Sequence, residues 1–226
     1  MNKGKLIVID GADGCGKATQ TRLLLDILNK TGRASETIDF PRKESFFGKL
    51  IYEGLDGKYG DFKSLHPKLA STFWAADRYL ASAQINAWLH EGRNVIADRY
   101  VSANQIHQGG KIKDETERKE FLLWLDEMEY GEYKIPRPSI VLYLDVPYEV
   151  SLALMQARKL KEAELAPVKG DQHENDPEHQ LAARESGVKM LSDKSWRRIE
   201  CSEDGKTMLS VESIHAKILE HVLSVL

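Results

Sequence analysis

The chain has 226 residues, 42% of them hydrophobic, only two cysteines and a formal net charge of −3. That length supports a core of its own within a single α/β domain, and the charge, with no long basic run between aromatics, excludes a protein built to coat nucleic acid. Cys15 and Cys201 stand far apart without C-x-x-C spacing, which suggests neither a disulfide framework nor a cysteine zinc site and fits a reducing cytosol.

The apolar residues ahead of Asp10 are too few for a signal segment or a membrane span, so no membrane partner is expected. Leu6-Ile-Val-Ile-Asp10 reads as a buried strand, and helical periodicity begins near Thr19 and runs to Lys30. Between them, Gly11-Ala-Asp13-Gly14-Cys15-Gly16-Lys17 has the spacing G-x-x-x-x-G-K. Such a loop turns successive N–H groups toward phosphate oxygens at a helix N-terminus, and Lys17 adds a full charge for the β- and γ-phosphates. Residues Gly11, Ala12, Asp13, Gly14, Cys15, Gly16, Lys17, Ala18 and Thr19 therefore form the expected ATP site. Ala18 stands where a Ser or Thr hydroxyl usually reaches Mg²⁺, so the metal needs other ligands. A glycine-rich turn with a solvated lysine is the alternative, but it rarely lies between a strand and an amphipathic helix.

Further strands are expected at Glu36–Phe40, Asn94–Asp98, Ser139–Asp145 and Trp196–Cys201. From the first helix Leu23, Leu24, Ile27 and Leu28 are expected to face the sheet, and from the last Ile214, Ile218, Val222 and Val225. The alternation predicts a five-stranded parallel sheet covered by helices on both faces. The most regular helix spans Leu69–Trp88, with Leu69, Phe73, Ala76, Leu80, Ala83 and Ala87 as its expected inward stripe. Charged residues, two prolines and a glycine between Arg158 and Pro177 predict a mobile flap over approximately 158–177.

In an open parallel sheet ligands gather at the carboxyl ends of strands. Phe40-Pro-Arg42 follows the second strand and Asp98-Arg99-Tyr100 closes the third. Asp98 suits a carboxylate that holds Mg²⁺ through water, and equally suits a helix cap. Arg42, Arg78 and Arg99 come from three segments, and their guanidinium forks suit phosphate. Any one of them alone also suits a surface ion pair. Trp74, one turn before Arg78, could present its face to a base or belong to the core.

In these stretches, together with Trp74-Ala-Ala-Asp-Arg78, Trp124-Leu-Asp-Glu-Met-Glu-Tyr130, Pro136-Arg-Pro138 and Leu142-Tyr-Leu-Asp-Val-Pro147, the chain resembles the thymidylate kinase family. The resemblance implies a P-loop α/β/α fold, transfer of the γ-phosphoryl of ATP to dTMP with Mg²⁺, and a homodimer. It implies that Arg42 and Arg99, with Phe40, bind the acceptor, and that Asp13 sits near the sugar, Arg99 and the metal. Trp74, in place of the usual Phe, would stack on thymine, Arg78 and Asn104 would meet the base edge, and Gln108 would lie nearby. His107 stands where many members have a Tyr that excludes a ribose 2′-hydroxyl. Arg158, the flap's one arginine, would be the catalytic arginine, with Lys159, Lys161 and Lys169 as substitutes. Two other readings stay open: a kinase of another monophosphate or nucleoside, and a nucleotide-binding protein without turnover, which would not need three such arginines.

Overall fold

The computed structural model describes residues 3–165 and 176–226, with the backbone alone at 158, 159 and 161–165. Five strands, β1 (Leu6–Gly11), β2 (Ser35–Asp39), β3 (Asn94–Asp98), β4 (Ile140–Asp145) and β5 (Trp196–Glu200), pair in parallel in the order β2-β3-β1-β4-β5. Each begins and ends within about two residues of the run that hydrophobic patterning marks. β1 is apolar throughout because both its faces are buried: Leu6 and Val8 enter one core, Ile7 and Ile9 the other.

The helices are α1 (Lys17–Lys30), α2 (Phe46–Leu55), α3 (Pro67–His90), α4 (Val101–His107), α5 (Glu115–Asp126), α6 (Tyr148–Leu165), α7 (Pro177–Met190) and α8 (Val211–Leu223). On one face α1 contributes Leu24 and Leu28 and α8 contributes Ile214, Ile218 and Val222; Leu23 and Ile27 are only half-buried. On the other face lie Ala81, Ile85 and Leu89 of α3, Phe121 and Leu125 of α5 and Ala183 of α7. Among the described residues no helix is long and apolar enough to cross a membrane.

One expectation is corrected. The stripe assigned to α3 has the right period and the wrong phase, because Leu69 and Leu80 are each 51% exposed while Ala83 and Ala87 also face outward. The inward face is Ala70, Ala75, Asp77, Arg78, Ala81, Ile85 and Leu89. Small alanines let α3 approach the sheet, and Asp77 and Arg78 go inside because each meets a partner of opposite charge. Within the stretch 158–177 expected as a flap, the described residues are helical at both ends. Leu160-Lys-Glu-Ala-Glu-Leu165 is made of strong helix formers and extends α6, while Pro177 takes the first position of α7, where a missing N–H costs nothing. Residues 166–175, including Lys169 and His173, lie outside the described residues.

Candidate active site

The strand β1 delivers the chain into the loop through Gly11 at φ 151°, where a Cβ would stand 2.7 Å from the Leu144 carbonyl oxygen. Gly16 is in the left-handed region at φ 89° and caps α1. Lys17 is then folded back along the loop, its Nζ donating to the carbonyls of Ala12 at 2.8 Å and Gly11 at 3.1 Å. Lys17 is one of the residues on the wall of a cavity of about 450 Å³, with Gly14, Gly16, Ala18, Thr19 and Asp98.

A second cavity, of about 190 Å³, is lined by Phe40, Trp74, Arg78, Asn104, His107 and Gln108. The two share Asp13, Arg99, Phe40 and Tyr52 on their walls. At this junction the Arg99 guanidinium makes an ion pair with Asp13 through Nη2, and its Nη1 lies 3.7 Å from Asp10. Asp10 is buried, accepting from the Gly11 N–H at 2.8 Å and from Ser102 Oγ at 2.6 Å, so the pair rests on a fixed carboxylate. Burial alone would raise the Asp13 carboxyl, but Arg99 and Lys17 overcome it and hold Asp13 well below the usual carboxylate range. Arg99 has φ 66°, a conformation that costs a non-glycine residue about 1–2 kcal/mol. Such strain collects at functional sites.

In the second cavity Arg78 and Glu129 are both fully buried, joined by Nε to Oε2 at 2.6 Å and Nη2 to Oε1 at 2.5 Å, with Nη1 donating to the Tyr100 carbonyl at 3.1 Å. Burial would lower the guanidinium, and Glu129 raises it above its ordinary value. Three of the five Arg78 N–H groups are thus spent, and two have no partner among the described residues. Asn104 Nδ2 donates to the Ser71 carbonyl at 3.2 Å and approaches Glu129 at 3.4 Å. Trp74 lines the cavity and also packs on Phe62, centroids 5.9 Å apart, so it serves core and site together. Gln108 Oε1 is buried with no hydrogen-bond partner among the described residues, and Gln108 lines this cavity.

Most of the sequence-predicted residues line one cavity or the other; Gly11, Ala12 and Cys15 shape the loop without lining either, and Arg42 and Arg158 stand apart. Arg42 lines neither cavity and is tied to the buried Asp77, with Nη2 and Nε at 2.9 and 3.1 Å from Oδ1 and its N–H 2.9 Å from Oδ2. Arg158 belongs to α6, and its side chain lies outside the described residues. Asp98 ends β3 in the wall of the phosphate-loop cavity; burial raises its carboxyl against the pull of Lys17 and Arg99. It does not cap α4, whose N-cap is Tyr100 without a side-chain bond.

Sequence reasoning gave no role to Glu129, Asp77, Asp10 or Gln180. A lone carboxylate in an apolar run, as in Ala75-Ala-Asp77 or Met128-Glu129-Tyr130, is a usable signal for the first two. Nothing marks Gln180, whose Nε2 donates to Asp13 Oδ2 at 3.0 Å from α7. Gly187 stands near where the resembled family often has a Tyr. Here the buried Tyr143 ring fills that space, and a Cβ on Gly187 would come within 2.4 Å of it.

The family model for thymidylate kinase matches residues 9–174. The thymidylate kinase of Mycobacterium tuberculosis is 31% identical over 147 residues, 65% of this chain and 68% of that one. The human thymidylate kinase is 28% identical over 145 residues, and this chain spans only 62% of its length. A probable thymidylate kinase of Thermococcus onnurineus is 30% identical over 225 residues, 96% of this chain and 98% of that one. The solved structure of the Candida albicans thymidylate kinase superposes with a TM-score of 0.69 at 24% identity, covering 98% of this chain and 92% of that one, a likeness of fold.

Proposed function

The chain belongs to the thymidylate kinase family, and on that premise we propose that the phosphate-loop cavity takes ATP and the smaller cavity takes the acceptor dTMP. It is an ATP-dependent phosphotransferase that makes dTDP and ADP. The observation that carries the placement is the shared wall: Asp13 and Arg99 stand where the two cavities meet, so a γ-phosphate on one side and a 5′-phosphate on the other would face each other across Arg99.

The acceptor oxygen is already ionised, so no base is needed. The protein's part is positioning and charge neutralisation. Lys17, held by the loop carbonyls, and Arg99, held by Asp13 and Asp10, supply preorganised positive charge where charge spreads in the transition state. On the acceptor side the two uncommitted N–H groups of Arg78, Asn104 and the Gln108 acceptor face the base, with Trp74 as stacking surface. Arg42 acts from behind, bracing the segment after β2 on Asp77, and reaches phosphate only by releasing part of that pairing.

Mg²⁺ would be held by Asp98 through water. Arg99 is committed to Asp10 and Asp13, which leaves Asp98 without a salt-bridge partner among the described residues. Asp13 is already engaged by Arg99 and Gln180 and is the weaker ligand. Among the described residues no three His, Cys, Asp or Glu side chains form a metal cluster. One carboxylate plus substrate phosphates and water is the usual setting for Mg²⁺, which neutralises phosphate charge.

We read residues 1–226 as one kinase domain, both cores being built on a single sheet. We place it in the cytosol, where the buried, unbridged Cys15 and Cys201 stay reduced, without nucleic-acid or membrane partners. We also infer a homodimer, because α3 turns Leu69, Leu80, Ala83 and Ala87 outward as an apolar stripe. Sedimentation should give twice the 25.6 kDa chain mass, and a monomer at micromolar concentration would contradict this.

Coupled ADP release across dTMP, dUMP, UMP, dCMP and dGMP tests the acceptor. The expected order is dTMP first, then dUMP, since one methyl is worth about 1–3 kcal/mol in a pocket. His107, smaller than a Tyr, should leave UMP a better substrate here than in His107→Tyr. A preference for dGMP or dCMP would overturn the thymidylate reading, and an unchanged dUMP-to-UMP ratio in His107→Tyr would remove His107 from sugar selection.

A further inference from the structure

His107 and His179 are buried, face each other nearly parallel at 18° with centroids 5.5 Å apart, and join Nδ1 of His107 to Nε2 of His179 at 3.3 Å. On its other side His107 places Nε2 2.9 Å from Nη1 of Arg99. A guanidinium only donates, so Nε2 of His107 must be the bare nitrogen. The ring proton is then on Nδ1 and is donated to His179. The direction of the whole chain follows: Arg99 donates to His107, and His107 donates to His179. We propose that His179 is a positioning residue for phosphoryl transfer: by accepting from Nδ1–H it holds His107 in the one tautomer that can receive Arg99, and so fixes Arg99 at the junction of the two cavities.

Burial, aided by the nearby Lys111, lowers His179 to about 4, so at neutral pH it is uncharged and able to accept. Its backbone is fixed as well. Asp176 caps α7, accepting from the N–H groups of Glu178 and His179 at 3.1 Å, and is itself held by Lys63 at 2.7 Å. The first turn of α7 thus grips the junction twice, through His179 on the Arg99 side and through Gln180 on Asp13. Arg99 itself has its backbone in the left-handed region, a conformation that persists only where the surroundings hold it.

This inference rests on the proposed kinase reading for its consequence, but its premise is measured without substrate. Nitrogen-15 NMR of histidine-labelled protein near pH 7.5 should show His107 as the Nδ1–H tautomer. A wild-type Nε2–H tautomer would overturn the proposal whatever the acceptor is. In His179→Phe, which keeps an aromatic ring in the stack, the tautomer preference should be lost. The kcat/KM for the best acceptor of the panel should fall between about 10-fold and 100-fold, the scale of a displaced positioning group, while the KM for ATP stays unchanged. His179→Gln, which returns an acceptor near the Nε2 position, should restore the tautomer and most of the rate. A His179→Phe enzyme with wild-type kcat/KM, or equal changes in acceptor and ATP KM, would overturn it; so would a rate in either variant that follows its melting temperature alone.

Discussion

Replacing Lys17 with alanine should lower kcat by at least two orders of magnitude, because about 3 kcal/mol or more of transition-state stabilisation is lost when one preorganised charge is removed. The ammonium is not a loose surface charge. It is buried, the Gly11 and Ala12 carbonyls hold it along the loop, and Lys17 is on the wall of the phosphate-loop cavity. Because those two bonds stay within the loop, the sheet and both cores should survive the change. The KM for dTMP should move little, since Lys17 lines the phosphate-loop cavity and not the smaller one. Circular dichroism with steady-state kinetics checks this, and a folded variant that keeps most of its kcat would remove Lys17 from the chemistry.

The second large effect falls on stability. In Glu129→Ala the Arg78 guanidinium would be left fully buried beside a cavity without its carboxylate, a loss of about 3–5 kcal/mol. For a chain of this size that corresponds to a fall in Tm of roughly 6–20 °C. Replacing both Arg78 and Glu129 with methionine should cost less, since a buried ion pair exchanged for apolar groups often leaves stability near its starting value. The double variant should still lose most of its acceptor affinity, which separates the two roles of the pair. Differential scanning calorimetry on the wild type and the two variants decides the matter, and an unchanged Tm for Glu129→Ala would refute the burial argument.

Where the sequence was legible and where it was not follows from the range of the forces involved. The strands and the phosphate loop are local: β3 occupies Asn94–Asp98 as patterned, and Gly11, Gly16 and Lys17 declare the loop by spacing alone. The phase of α3 is not local. Counting apolar residues put Leu69 and Leu80 inside, whereas the helix turns Asp77 and Arg78 inward to meet Arg42 and Glu129, partners 35 and 51 residues away in the chain. The same distance hides the α7 contacts, since nothing near His179 or Gln180 announces that they reach His107 and Asp13 from 72 and 167 residues away. Arg42 was readable as a residue after a strand but not as one already held by Asp77. Strong helix formers at residues 160–165 carry α6 into the stretch expected as a flap, where charge and nearby prolines are the visible signals.

Asp13 and Arg99 stand on the wall that the two cavities share, where the proposed donor and acceptor would meet. The most direct test of that meeting is a single-turnover reaction of γ-phosphate-labelled ATP with unlabelled dTMP, on the wild type and on Arg99→Ala. The wild type should carry the label into dTDP. Arg99→Ala should form labelled dTDP far more slowly and divert a larger share of the label to inorganic phosphate. Labelled inorganic phosphate without labelled dTDP in the wild type, or equal rates of labelled dTDP formation in the two proteins, would contradict the account.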